Sequence, residues 1–352
     1  MNGLISSNSH LKVLAFPASK LFGWIVGARN KLYYNNNFPS KRVSCPVVSV
    51  GNITVGGTGK TPILAELVQW GLSQNIKVGI VSRGYKGRFK GVCRVSATEP
   101  DAPDTYGDEP AMLSERFPEI PVYVGADRVA ASEALIQNND VQIIFADDAF
   151  QHRRLHRDLD VVVVDCTEPI YNYKLLPQGR LREPLENLRR AHFIVLNKVN
   201  LVSPDQKNKV ISLLESLSGG ISCRLIESEY YVKSLSFKEK TIELGDIGPS
   251  EPFLLVSGIG NPQALEANLS QHLNIKKHIR FADHHSYSQK DVTSILKIYK
   301  KESCARIIIT EKDAVKLKRY PELYDVALTT QLSPKLSLKA KGLYEEILRV
   351  IV

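Results

Sequence analysis

The residues Gly56-Gly57-Thr58-Gly59-Lys60-Thr61 follow an apolar run, Pro46 to Val50, and precede Ile63-Leu64-Ala65-Glu66-Leu67-Val68. A glycine-rich turn between a strand and a helix, ending Gly-Lys-Thr, is the layout of a phosphate-binding loop. Small residues let backbone N–H groups converge on phosphate oxygens, and the helix N-terminus adds partial positive charge. Thr54, Val55, Gly56, Gly57, Thr58, Gly59, Lys60 and Thr61 form the candidate nucleotide-binding segment. Lys60 can reach the β- and γ-phosphates, and the Thr61 hydroxyl can bind Mg²⁺. The usual pattern has glycine five residues before Gly59, where this chain has Thr54.

A second constellation is Val141-Gln142-Ile143-Ile144-Phe145-Ala146-Asp147-Asp148, an apolar strand ending in two acids. In enzymes with a phosphate-binding loop, an acid at that strand end helps hold Mg²⁺. Gln151 and His152 follow, then Arg153, Arg154 and Arg157. These arginines would suit phosphate charge, or form a solvated basic face. Three loop clusters add candidates: Ser82-Arg83-Gly84-Tyr85, Gly107-Asp108-Glu109-Pro110, and Leu176 to Pro184 with Arg182 and Glu183. Asp108 precedes a helix and could simply cap it. Farther on, Phe281-Ala282-Asp283-His284-His285-Ser286-Tyr287 sets two histidines before a helix. Adjacent side chains on a strand point to opposite faces. That favours one histidine as an acid, base or orienting group over a shared metal site.

These residues need a scaffold. Pro46–Val50, Lys77–Ser82, Pro121–Gly125, Val141–Ala146, Leu159–Asp165 and His192–Asn197 read as strands, several of them continuously apolar. Such runs suit strands buried on both faces. Helices are expected over Thr61–Gln74 and Asp127–Asn138. The alternation predicts an α/β fold with a parallel sheet. The pattern loosens after Ser218, and Ser234 to Glu251 is polar and broken by Gly245, Gly248 and Pro249. A second series then starts: strand Phe253–Ser257, a helix from Pro262, a strand near Ile279–Phe281, helix Gln289–Lys301 and strand Ala305–Thr310. Leu338 to Val352 reads as helical. The expected architecture is an N-terminal segment (1–35), a P-loop NTPase-like parallel-sheet domain (36–230) and a smaller α/β domain with a terminal helix (231–352).

With 352 residues the chain is long enough for two cores. Its net charge of +9 points to acidic partners or a generic basic surface. Five cysteines without a CxxC pair argue against a disulfide framework or structural zinc. Lys12, Pro17 and Lys20 interrupt the apolar stretch from Leu11 to Tyr34, so no run is long enough to span a bilayer. Leu21, Phe22, Trp24 and Ile25 beside Lys20, Arg29 and Lys31 suit a helix lying in a membrane interface, or one packed on the protein's own core.

The runs VGNITVGGTGKTP, SRGYKG, GDEP, DDAFQHRRLHRDLDVVVVD, LPQGRLREP, FADHHSY and TEKDAVKL stand in this order. Together they resemble the tetraacyldisaccharide 4′-kinase (lipid A 4′-kinase) family of Gram-negative bacteria, over residues 10 to 320. The combination of DDAFQH with a P-loop lacking its first glycine carries most of the likeness. Thr54 is therefore ordinary for the family, and Ala149 replaces a common glycine. The resemblance implies transfer of the γ-phosphate of ATP, with Mg²⁺, to the 4′-hydroxyl of a tetraacyldisaccharide 1-phosphate. It implies an anionic membrane surface as partner, at the cytoplasmic face of the bacterial inner membrane, with a peripheral or monotopic attachment and no nucleic acid. Lys60 and Thr61 would bind phosphates and metal, and Asp147 and Asp148 would belong to the metal-side motif. Asp108 would activate the sugar hydroxyl with support from a histidine, His284 rather than His285. Gln151, His152, Arg182 and Glu183 would line the substrate site. The two domains would then have to close to bring residues 108 and 284 together. Of the rival readings, a P-loop GTPase or metallochaperone is suggested by Asn197-Lys198-Val199-Asn200, but Asn200 stands where a guanine-reading aspartate belongs. An ATP-driven switch would need no acceptor base. A nucleic-acid binder lacks a basic motif interleaved with aromatics.

Overall fold

The structure is a computed structural model, and it describes residues 9–217, 224–238, 240–247 and 251–351. Ser218, Gly248, Pro249 and Val352, named above, and one of the five cysteines, Cys223, lie outside the described residues.

Helix α1 (Ser9–Tyr34) leads into strand β1 (Val47–Asn52), the glycine-rich loop and α2 (Lys60–Ser73). The larger lobe continues with β2 (Val78–Ser82), β3 (Val92–Arg94), α3 (Ala102–Tyr106), α4 (Asp108–Arg116), β4 (Val122–Gly125), α5 (Arg128–Asn138), β5 (Ile143–Asp147), β6 (Leu159–Asp165), β7 (Phe193–Asn197) and α6 (Pro204–Glu215). Strand β8 (Leu225–Phe237) links it to β9 (Lys240–Glu243), β10 (Pro252–Ser257), α7 (Pro262–Leu269), β11 (Asn274–Arg280), α8 (Gln289–Lys301), β12 (Arg306–Thr310), α9 (Glu311–Leu317), α10 (Pro321–Tyr324), β13 (Ala327–Leu336) and α11 (Ala340–Ile351).

Among the described residues the strands join one sheet in the order β11-β10-β12-β13-β8-β7-β6-β1-β5-β2-β4-β3, with β9 on β8. Pairing is parallel except at β3–β4, β8–β9 and β8–β13. The apolar runs give strands buried along their whole length at β1, β2, β5 and β6. Strand β1 lies between β5 and β6, so the loop after it and the acids ending β5 emerge side by side. That is the carboxyl edge of a parallel sheet, where α/β folds bind ligands.

The expected boundary at residue 230 falls inside β8. This strand pairs with β7 through Ser228 and with β13 from Ser228 onward, so it belongs to both lobes. Its burial alternates along the strand, with Ile226, Ser228, Tyr230, Val232 and Ser234 buried. One side of the strand is thus inward, and no continuous apolar run marks it. The terminal helix, expected with the smaller lobe, packs on the larger one. Its Leu343 and Ile347 join the core around α2, and Tyr344 stacks on Trp70 with centroids 4.6 Å apart.

Candidate active site

The glycine-rich loop is held from behind by β7. Gly59 has φ +88°, and a Cβ there would lie 2.3 Å from Asn197 Nδ2, so a side chain is excluded on both counts. Asn197 Nδ2 donates to Thr58 O at 3.0 Å, and Lys198 Nζ donates to Gly57 O at 2.9 Å. Lys198 is only 2 % exposed and pairs with Asp165 of β6, which is also buried. Asn52 Nδ2 donates to Thr58 Oγ1 at 3.0 Å. Asn200, the residue in the position of a guanine reader, is engaged elsewhere. Its Nδ2 donates to Tyr230 O at 2.9 Å and its Oδ1 accepts from Tyr230 N at 2.8 Å. The Asn-Lys-Val-Asn run therefore braces the phosphate loop and fastens β8.

The two acids ending β5 differ in environment. Asp147 is buried and accepts from Ser82 Oγ at 3.2 Å, while its Oδ1 has no partner. Burial, then Glu109 and Asp148, push its carboxyl up to about 7 against the opposing pull of Lys60 and Ser82. Asp148 adopts φ +49° and turns toward cations. Arg182 donates to its two oxygens at 2.7 and 3.0 Å, and Lys60 Nζ stands 3.8 Å away. Burial alone would raise the Asp148 carboxyl, but Lys60, Arg182 and Arg128 hold it below the usual range. Among the described residues no group of three or more His, Cys, Asp or Glu side chains is arranged to hold a metal. Mg²⁺ needs no such cage, since one or two carboxylates plus substrate phosphates suffice. Asp147, whose Oδ1 is buried without a partner, and the Thr61 hydroxyl fit that requirement.

Asp108 stands in the first turn of α4, yet its side chain does not cap the helix. Gly107 before it has φ +98°, and a Cβ there would lie 2.7 Å from Tyr85 O, so the Gly-Asp-Glu loop and the Arg-Gly-Tyr loop interlock. Asp108 Oδ2 accepts from His284 Nδ1 at 3.1 Å and from Lys316 Nζ at 3.0 Å. Burial favours the protonated acid, but His284 and Lys316 outweigh it and hold the Asp108 carboxyl below its ordinary value. The expected need for closure is corrected here, because residues 108 and 284 already touch. The histidines sit on a loop after β11, not on a strand, and φ of +60° at His284 turns the two rings apart. His285 Nε2 faces Asp291 at 3.2 Å and stacks on Phe281.

A cavity of about 540 Å³ joins these parts. The phosphate loop from Val55 to Thr61 lines it, as do Asp148, Arg182, Glu109 and His284. Gln151, His152 and Glu183 do not. Glu183 is fully buried and accepts from Gln151, Asn187 and Arg190, each at 2.8 Å. Gln151 Nε2 also donates to Asn52 O at 2.8 Å. This network ties the Arg182 loop to the end of β1, so only Arg182 of those four reaches the cavity. His152 is driven down to about 4 by burial and then by Arg128, so its ring is neutral at pH 7. Sequence reading missed Asn197, Lys198, Lys312 and Lys316. For the last two the available signal was a pair of lysines four residues apart after a Thr N-cap, on one helix face.

Helix α1 packs through one stripe. Ser19 Oγ donates to Leu175 O at 2.9 Å, Gly23 lies against Leu175 and Val26 is buried. Leu21, Trp24 and Ile25 are exposed on the opposite side, Trp24 by 72 %. No described helix is long and apolar enough to cross a membrane.

The family model of tetraacyldisaccharide-1-P 4′-kinase, LpxK, matches residues 11–351. A tetraacyldisaccharide 4′-kinase of Bdellovibrio bacteriovorus is 33% identical over 343 residues, covering 95% of this chain and 98% of the relative. One of Pelodictyon phaeoclathratiforme is 35% identical over 322 residues, covering 89% of each. Among solved structures, an "apo" form of LpxK from Aquifex aeolicus in complex with ATP is similar with a TM-score of 0.77 at 28% identity, over 97% of this chain and 100% of that one.

Proposed function

This chain belongs to the tetraacyldisaccharide-1-P 4′-kinase family, and from that premise we propose how its residues divide the reaction. It is an ATP-dependent kinase that phosphorylates the 4′-hydroxyl of tetraacyldisaccharide 1-phosphate in lipid A biosynthesis. The loop amides and Lys60 take the β- and γ-phosphates, because they converge on one cavity at a helix N-terminus. Thr61 and Asp147 would hold Mg²⁺, which when bound supplies positive charge to the phosphate oxygens. Arg182 stays on Asp148 and presents a second cation to the same space. Asp108 accepts the proton of the attacking hydroxyl, and His284 orients it. Gln151 and Glu183 set the Arg182 loop, and His152 stands beside them as a neutral ring.

The exposed Leu21, Trp24 and Ile25 of α1, with Lys20 and Lys31, lie in the headgroup region of the cytoplasmic leaflet of the inner membrane. A lipid acceptor resides in a bilayer, so the kinase must dock there, and the net charge of +9 favours an anionic surface.

The observation that carries the mechanism is the Asp108–His284 contact, whose neighbour Glu109 and partner His284 both line the cavity of the phosphate loop. The test is transfer from radiolabelled ATP to the tetraacyldisaccharide 1-phosphate in detergent micelles. Asp108→Asn should lower kcat by about 10²- to 10⁴-fold while ATP KM stays nearly constant, because a general base acts in the transition state. An unchanged kcat with a raised ATP KM would make Asp108 a nucleotide contact instead.

A further inference from the structure

Two lysines of α9, the buried Lys316 and the half-buried Lys312 of the cavity wall, have no part in the roles above. Thr310 caps this helix, accepting from Asp313 N at 3.1 Å, and so aims Lys312 and Lys316 at the larger lobe from one face. A buried ammonium is costly unless paired. Lys316 is 4 % exposed, and its Nζ donates to Asp108 Oδ2 and to His285 O, both at 3.0 Å. Lys312 Nζ donates to Asp283 Oδ1 at 2.8 Å and to His284 Nε2 at 3.1 Å. An ammonium only donates, so the His284 Nε2 facing it is the acceptor and Nδ1 carries the hydrogen. That hydrogen points at Asp108. Both cations therefore act on one carboxylate oxygen, Oδ2, one directly and one through the ring. Oδ1 of Asp108 accepts no hydrogen bond from the described residues, and it is not among the buried unpartnered atoms.

We propose that Lys316 is a positioning residue for phosphoryl transfer: with His284 it pins Oδ2 of Asp108 and leaves Oδ1 as the oxygen that receives the acceptor's proton. The inference rests on reading Asp108 as the base. As the acceptor oxygen bonds to the γ-phosphorus, the bond to the bridging oxygen breaks and ADP leaves with that electron pair. The hydroxyl proton passes to Oδ1. Fixing the carboxylate beforehand removes a rotational freedom that would otherwise be lost in the transition state.

The charged and titratable groups facing Asp108 are Glu109 on its own helix, Asp283, His284 and Tyr287 from the histidine loop, and Lys312, Asp313 and Lys316 from α9. Lys316 is one of the cations that keep Asp108 ionised. Its removal raises the proton affinity of Asp108, and the acidic limb of the pH–kcat profile moves to higher pH.

The experiment compares Lys316→Met and Lys316→Arg in the full-length kinase with radiolabelled ATP, following kcat, ATP KM and the pH profile, with thermal melting to check folding. Lys316→Met should lose about 10- to 10²-fold in kcat at pH 7 with little change in ATP KM, and its acidic limb should move up. Lys316→Arg should keep the wild-type limb. If Lys316→Met does not fold, Lys316→Gln, which keeps a donor toward His285 O, carries the same measurement. A folded uncharged variant with the wild-type limb overturns the proposal and leaves Lys316 a strut between lobes. If Asp108→Asn itself turns over like wild type, the base assignment has failed, which is a different result from failure of the positioning role.

Discussion

Lys198 offers a stringent test of how the phosphate loop is held. Its ammonium is enclosed between Asp165 and Gly57 O, and its backbone takes φ +64°, a conformation non-glycine residues adopt at a cost. Lys198→Met fills similar space but strands two groups. Asp165 retains Thr167 N at 2.9 Å and Thr167 Oγ1 at 2.6 Å, yet loses its counter-charge. Breaking a buried pair from one side costs about 3–5 kcal/mol. Gly57 O loses a donor as well, worth about 1–3 kcal/mol if the oxygen stays dry. Unfolding entropy of about 2.1 cal/mol/K per residue over this chain turns 4 kcal/mol into a fall in Tm of roughly 5 °C. Adding Asp165→Asn removes the stranded charge and should recover more than half of that fall. ATP KM should stay raised in both variants, because the loop carbonyl is still untethered. Calorimetry with and without ATP measures the first effect, and steady-state kinetics the second. A Lys198→Met melt indistinguishable from wild type, or no recovery in the double variant, would refute the reasoning.

Asp147 should leave a pH signature in the absence of divalent cation. Its carboxyl titrates near 7 in the fold against 3.8 for an ordinary aspartate, so between those values the fold holds a proton that the unfolded chain has lost. Stability from this group is therefore fully present at low pH and declines as pH rises to 7. Asp147→Asn should raise Tm more at pH 8 than at pH 5, and an equal change at both would contradict the assigned titration. At the membrane, changing Leu21, Trp24 and Ile25 together to Ser should reduce sedimentation with anionic liposomes, and added salt should weaken what remains by screening the basic contribution. Because these three side chains are exposed, Tm should hold, and undiminished liposome binding would remove α1 from the docking surface.

Much of the site was legible because it is local in the chain. The turn from β1 into α2 and the acids ending β5 are contiguous runs, and their chemistry follows from residue type beside a strand end. Helix α1 was legible only in part: the interrupted apolar stretch excluded a span, but not which stripe would pack on Leu175. The linking strands β8 and β13 were not found, since each is inward on one side and acquires its partner from far along the chain. Nothing local distinguishes His284 from His285. The choice is made by a backbone turn with φ +60° and by Lys312 and Asp108, 28 and 176 residues away in sequence. Likewise Glu183 looks like a polar loop residue until the fold surrounds it with Gln151, Asn187 and Arg190. Sequence alone determined the kind of chemistry, because phosphate loops and strand-end acids are built from neighbours. Tertiary structure decided which carboxylate is clamped by cations and which oxygen of Asp108 is left without a hydrogen bond, because the charges paired with them come from elements brought together only by the sheet.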